Sequence, residues 1–341
     1  MTVEMETKRS RRPQERIRMH VDNLDLLGPV FEVTPERWKD ALSRHPEVAS
    51  SIDVSFSRNG IGLDEGLADA EMLFCWDIER QNLARRAPRL RWVHAHGAGV
   101  SHLMPLDWLP KGAVLTNSRG VHGERAAEYA MMAVLMLNNR IPEMVTNQRE
   151  GRWEQLFNTA IVGKTLLIVG VGSVGGSVAR LAKLFGMRVL GTRRTGKPRR
   201  HVDQMFGPDR LRQLLPDADF VLVTAPQTNQ TRHLLGAEEL DLMKPGAGLV
   251  NYSRSGLVDY EALRSKLEKR QISAVLDVFN PEPLPADSPL WQTPNLIITP
   301  HSSSDDPDLY TPRTLDVVMR NVKRFLAGEP LHNRVSVKYQ Y

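Results

Sequence analysis

The stretch Leu166-Leu167-Ile168-Val169-Gly170-Val171-Gly172-Ser173-Val174-Gly175 decides the fold. Its four leading apolar residues make a short run suited to a strand buried on both faces. Three glycines follow at once in the spacing G-x-G-x-x-G, and beyond them Val174, Val178, Leu181, Ala182 and Phe185 recur at the spacing of one helix face. Strand before and helix after give each glycine a purpose. Gly170 permits the tight turn, Gly172 lets the backbone approach a pyrophosphate, and Gly175 lets helix pack closely on strand. The first helical residues, Ser173 and Val174, then present unpaired N–H groups and a partial positive charge to the phosphates.

Outward from this loop the chain alternates short apolar runs with helical patterns, which implies βαβ units and a parallel sheet. Strands are expected at 165–169, 188–191, 220–224, 248–252, 274–278 and 296–299, with helices at 174–185 and 258–270. The second of these carries Asp259 and Glu261 early and Lys266, Lys269 and Arg270 late, the order that suits the helix dipole. The first 120 residues or so are less regular. Helical patterns at 35–44 and 77–86 and apolar runs at 72–74 and 114–116 suit a smaller α/β lobe, and a last helix at 315–326 is expected to return and pack on it. The expected fold is therefore α/β: a doubly wound, parallel-sheet Rossmann domain at 118–304, and a smaller flavodoxin-like domain, discontinuous in sequence, formed by 1–117 and 305–341.

Length and composition agree. The chain of 341 residues is long enough for two domains, and its 41% apolar and 25% charged residues are near the globular average. The longest apolar stretch, 126–137, is interrupted by Glu128 and is shorter than the ~18 residues of a membrane span. One cysteine, Cys75, allows no internal disulfide, and no apolar leader is evident, so the cytoplasm is the expected compartment. The net charge of +5 is modest. Basic residues concentrate at 8–18, but acids dilute them and no aromatics interleave for base stacking, so no nucleic-acid partner is expected.

The second strand bears on which dinucleotide binds. An NAD site presents Asp or Glu there for the ribose 2′-OH, whereas an NADP site offers Arg. Here Gly191-Thr192-Arg193-Arg194-Thr195-Gly196-Lys197 contains no acid, and Arg193 and Arg194 could hold a 2′-phosphate through charge-assisted bonds. NADP is expected, with NAD possible and no metal.

Titratable residues then fall at the C-terminal ends of successive strands, where ligands of open α/β sheets bind: Arg254, Asp277 with Glu282, and His301. A cation for a substrate carboxylate, a histidine to protonate an oxygen that gains charge, and a carboxylate to hold that histidine protonated together suit carbonyl reduction.

In these residues the sequence resembles the D-isomer-specific 2-hydroxyacid dehydrogenase family, over nearly its whole length. The stretches that carry the likeness are Val250-Asn251-Tyr252-Ser253-Arg254-Ser255-Gly256-Leu257-Val258-Asp259, Leu276-Asp277-Val278-Phe279-Asn280-Pro281-Glu282-Pro283-Leu284, Pro289-Leu290-Trp291 and Thr299-Pro300-His301. The resemblance implies that Arg254 binds the substrate, that His301 is the general acid/base, and that Glu282 pairs with it. It also implies that the backbone N–H groups of Ala98 and Gly99, in Gly97-Ala98-Gly99-Val100, meet the substrate carboxylate. Cofactor contacts are implied at Ala225, Pro226, Tyr252, Ser253, Asp277 and Ser303, with Thr231 as a further candidate. The chain departs from the family pattern at Ser101, where an acid is common, and at Ser302-Ser303-Ser304-Asp305-Asp306, where small residues with glycine are usual. Glu128, His94 and His96 are expected to be structural.

The implied activity is reduction of small 2-oxo acids of the glyoxylate and hydroxypyruvate class to D-2-hydroxy acids, by a homodimer. L-specific lactate or malate dehydrogenases begin at the glycine loop, which here lies in mid-chain. Formate or phosphonate dehydrogenase relatives, and a regulatory protein that only senses the cofactor, remain as alternatives.

Overall fold

A computed structural model describes residues 16–339 and 341, so most of the basic stretch at 8–18 lies outside the described residues. Its described end is tied down, Arg16 pairing with Asp53 at 2.8 Å and Arg18 with Asp69. The chain forms two compact units, one of residues up to 121 together with those from 307, the other of residues 122–306.

The first unit holds strands β1 (Ile17–Asn23), β2 (Ile52–Arg58), β3 (Met72–Cys75), β4 (Trp92–Ala95) and β5 (Val114–Asn117), all parallel, in the order β2-β1-β3-β4-β5. This is the flavodoxin-like order. Successive residues of each strand serve opposite faces. Met72, Phe74 and Trp92 join one core, while Leu73, Cys75, Val93 and Ala95 join another. The helix Pro35–Arg44 covers the first face, started by Thr34, whose side chain accepts the Arg37 N–H, and by Pro35 in its first turn. The final helix, Tyr310–Leu326, lays Leu315, Val318, Met319 and Val322 on the same core.

Two sequence expectations are corrected in this unit. The helix at 77–86 shrinks to Leu83–Arg86. Asp77 turns its side chain onto the Ile78 N–H, and Asn82 takes a left-handed φ of 54°, so no helix can propagate between them. Strands β1, β2 and β4 were not expected. In β1, His20, Asp22 and Asn23 interrupt the apolar pattern, yet all three are buried because they find partners, His20 between the Ser55 and Ser57 hydroxyls.

The second unit holds β6 (Thr165–Val169), β7 (Arg188–Thr192), β8 (Gln204–Phe206), β9 (Phe220–Val223), β10 (Gly248–Asn251), β11 (Ser273–Leu276) and β12 (Leu296–Ile298), again all parallel. Their order is β12-β11-β10-β9-β6-β7-β8. Counted from β6, this is the doubly wound 3-2-1-4-5-6 order with one strand added, and it reverses between β6 and β9. Leu167, Val169, Val221 and Val223 face one core, and Leu166, Ile168, Phe220 and Leu222 the other, so both sides are covered. Helices Gly123–Asn138 and Ser173–Leu184 supply the second of these layers. The short strand β8 was not expected; its three residues carry too little pattern to read.

Candidate active site

The glycine loop leaves β6 at the point where the strand order reverses. Gly170 has φ 96°, and a Cβ there would fall 2.5 Å from the Ala225 nitrogen, so both backbone angle and space demand glycine. A Cβ on Gly175 would sit 2.9 Å from Ile168 Cγ2 and 3.0 Å from Thr224 Oγ1, which is the close helix-on-strand packing expected of it. Gly172 differs: nothing lies within 4 Å of its Cβ position. It caps the helix Ser173–Leu184 without a side-chain bond, so the first-turn N–H groups, with Ser173 and Val174 leading, look onto open space. A bare cradle at a helix N-terminus fits a dinucleotide pyrophosphate.

The end of β7 is tied to this cradle, because the Thr192 carbonyl accepts the N–H groups of Gly170 at 3.0 Å and Val171 at 2.8 Å. Arg193, half-buried, and Arg194, exposed, follow directly. A third cation was not anticipated. A Cβ on Gly176 would lie 3.1 Å from Nε and 3.2 Å from Nη2 of Arg199, so that guanidinium rests on the bare backbone of the helix start.

On the other side of the reversal, Ala225 and Pro226 follow β9, and the Ser253 hydroxyl donates to the Ala225 carbonyl. Thr231 donates to the Pro226 carbonyl at 2.8 Å, closing that loop. Tyr252 is half-buried, and burial pushes its hydroxyl well above the usual phenol range. Arg254 leaves β10 on a turn held by Asn251, whose side chain accepts the Ser253 N–H at 3.2 Å and donates to the Arg254 carbonyl at 3.1 Å. Tyr260 braces that amide at 3.0 Å and donates to the Val278 carbonyl at 2.8 Å. Burial lowers the Arg254 guanidinium, while the charges of Glu282 and Asp305 raise it; an arginine stays charged regardless.

His301 and Glu282 meet: Nδ1 lies 2.7 Å from Oε2. Their side chains are 40% and 35% exposed, so the pair is open to an incoming molecule. His301 has a left-handed φ of 49°, sparsely populated for a non-glycine residue, and its N–H donates to the Asp277 carbonyl at 2.9 Å. The fully buried Asp277 carboxylate holds what surrounds it. It accepts from Thr299 Oγ1 at 2.6 Å and from the N–H groups of Ser302 at 3.0 Å and Ser303 at 3.2 Å. The sequence reading gave Asn251, Tyr260 and Thr299 no role, since a lone Asn, Tyr or Thr beside a strand carries no spacing signal.

In the first unit, the loop Gly97-Ala98-Gly99-Val100 follows β4. Asn117 donates to the Ala98 carbonyl at 2.7 Å, and the Ser118 N–H to the Gly97 carbonyl at 3.2 Å. Among the described residues no bond takes the N–H of Ala98 or Gly99, which leaves two adjacent donors. His94 is buried between Thr116 Oγ1 at 2.8 Å and Ser118 Oγ at 3.1 Å, stacked on Phe74, and burial holds it down to about 3. His96 accounts for itself against the Phe31 carbonyl at 2.6 Å and the Tyr310 ring. Both are core groups. Glu128 sits on an exposed side of its helix, beside Arg125. No described helix is long and apolar enough to cross a membrane.

The profile of the D-isomer specific 2-hydroxyacid dehydrogenase NAD binding domain matches residues 131–303. A glyoxylate reductase of Thermococcus gammatolerans is 36% identical, over 83% of this chain and 83% of its own length. One from Korarchaeum cryptofilum is 35% identical, over 73% and 77%. The D-isomer specific 2-hydroxyacid dehydrogenase of Xanthobacter autotrophicus, solved in complex with NADPH and MES, is 30% identical and superposes with a TM-score of 0.81, covering 95% of this chain and 99% of that one. With its two parallel sheets, its glycine cradle and its strand-end Arg, Glu and His, this chain belongs to the D-isomer-specific 2-hydroxyacid dehydrogenase family of oxidoreductases that use nicotinamide dinucleotides.

Proposed function

We propose that the protein reduces small 2-oxo acids of the glyoxylate and hydroxypyruvate class to D-2-hydroxy acids, using NADPH in preference to NADH, with His301 as general acid. The observation that carries this reading is the 2.7 Å contact of His301 Nδ1 with Glu282 at the strand ends of the sheet that bears the glycine cradle. The glyoxylate reductases among the relatives support the substrate class. Arg193, Arg194 and Arg199 around the loop, and the NADPH complex of the Xanthobacter autotrophicus structure, support the cofactor.

A bound reduced nicotinamide dinucleotide supplies the hydride. Glu282 occupies Nδ1 and orients the ring, which leaves Nε2–H to donate to the carbonyl oxygen as negative charge builds on it. The Arg254 guanidinium holds the substrate carboxylate and stabilises the same developing charge. Ala98 and Gly99 offer two backbone N–H groups suited to a carboxylate. Asp277 and Ser303, with Tyr252 and Ser253, shape the nicotinamide end, and Ala225 and Pro226 line the strand ends. In this reading the unit of residues 122–306 binds the dinucleotide and the other unit contributes substrate contacts.

The working form is a homodimer in the cytoplasm. Trp153 and Phe157 are 94% and 80% exposed, and Leu184 and Phe185, at the end of the helix Ser173–Leu184, are 75% and 40% exposed, apolar surface that supports a partner subunit.

The test follows NADPH oxidation with glyoxylate and hydroxypyruvate in the wild-type protein and in His301→Ala, with NADPH binding read by nicotinamide fluorescence. Turnover should fall by about 10² to 10⁴ in the variant while binding persists. Equal rates would remove His301 from the mechanism, and a wild-type protein that binds NADPH but turns over none of these acids would overturn the substrate class.

A further inference from the structure

Where the chain enters and leaves the unit of residues 122–306, a second imidazole meets a second carboxylate. His122 stands immediately before the helix Gly123–Asn138, and Asp305 follows the serines that come after His301. His122 Nδ1 lies 3.3 Å from the Ser304 carbonyl oxygen and 3.5 Å from Asp305 Oδ1. A carbonyl oxygen only accepts, so Nδ1 carries the hydrogen and the imidazole donates toward both oxygens. The two side chains are 13% and 28% exposed, unlike a solvated surface pair.

The surroundings connect this pair to the reaction. The charges that bear on it are His301, Arg254 and Asp277. Burial lowers His122 and raises Asp305, each opposed by the charge of the other. The backbone from Ser302 to Ser304 is held twice, from Asp277 through the N–H groups of Ser302 and Ser303, and from His122 through the Ser304 carbonyl. His301 opens this segment with its left-handed backbone, a conformation that persists only where neighbours over-determine it.

We propose that His122 and Asp305 are positioning residues for proton transfer: the imidazole pins the Ser304 carbonyl in the segment that His301 opens, and the carboxylate holds that imidazole in place. This rests on His301 being the general acid.

The test measures kcat against pH for 2-oxo acid reduction in the wild-type protein, His122→Leu, His122→Asn, Asp305→Asn and His301→Ala, with NADPH affinity and thermal unfolding for each. An asparagine amide can replace Nδ1–H toward Ser304, and leucine cannot. His122→Leu should lower kcat about tenfold or more, since small misplacements of a reacting group are costly, with NADPH affinity unchanged. His122→Asn should recover most of that loss. Asp305→Asn should lower kcat in turn with NADPH affinity unchanged, because the carboxylate no longer holds the His122 ring toward Ser304. Should leucine impair folding, the two asparagine variants still decide: a tenfold or greater loss of kcat in a folded His122→Asn, or wild-type kcat in Asp305→Asn, overturns the proposal. Full activity in His301→Ala would overturn the reading beneath it, and the pair's role as well.

Discussion

Glu282 divides its carboxylate between His301 and its own loop: Oε2 lies 2.7 Å from His301 Nδ1, while Oε1 accepts the Phe279 N–H at 2.6 Å. The loop bond orients the carboxylate independently of the imidazole, so Nδ1 is engaged and Nε2 is the ring nitrogen left for a reaction partner.

Glu282→Gln retains that shape and removes the charge. The neutral amide makes a weaker bond to Nδ1 than the charge-assisted one, so the imidazole is held less firmly and kcat should fall about tenfold or more. NADPH affinity should hold. Steady-state kinetics with glyoxylate and titrations of NADPH check this, and an unchanged kcat would take Glu282 out of the proton transfer.

Arg193 and Arg199 should matter for the phosphate alone. Each charge-assisted bond is worth about 1.5 to 3 kcal/mol, so Arg193→Ala and Arg199→Ala should each weaken NADPH binding roughly 10- to 100-fold. NADH binding should hold. Fluorescence titration of both dinucleotides measures the contrast, and parallel losses for the two would point to general damage at the loop.

Gly170→Ala combines a backbone angle of 96° with a Cβ 2.5 Å from the Ala225 nitrogen. Strain and overpacking together should cost about 2 to 4 kcal/mol and abolish dinucleotide binding. Gly172→Ala meets no atom within 4 Å, so its stability should change little while its affinity falls. Denaturant melts with binding titrations separate the two cases.

His94 makes stability depend on pH. Its pKa drops from 6.5 to about 3 on burial, so the unfolded chain binds the proton more readily. Its contribution is therefore fully present above pH 6.5 and is lost as pH falls toward 3, at up to about 1.4 kcal/mol per pH unit. Urea unfolding at pH 7.5 and pH 5 should show a slope that His94→Asn reduces; an unchanged slope would assign the acid sensitivity elsewhere.

The unit of residues 122–306 was legible because its strands are buried on both faces and its loop glycines obey local steric rules. Observed strand bounds at β6, β7, β9, β10, β11 and β12 fall within two residues of those read from sequence. The other unit was harder. In β1 the buried His20 and Asp22 look like loop residues until Ser55 and Ser57, more than thirty positions away, supply their partners.

By itself the sequence determined the glycine loop, the parallel α/β class, the Arg, Glu and His at strand ends, and the basic second strand, all of which are local patterns. Only tertiary structure decided that Glu282 reaches His301, that Asp277 serves the backbone of Ser302 and Ser303, and that Arg199 settles on Gly176. Each of these joins residues 19 to 26 positions apart. A hydrogen bond across such a span depends on strand order and loop path, and no spacing rule within one segment encodes it.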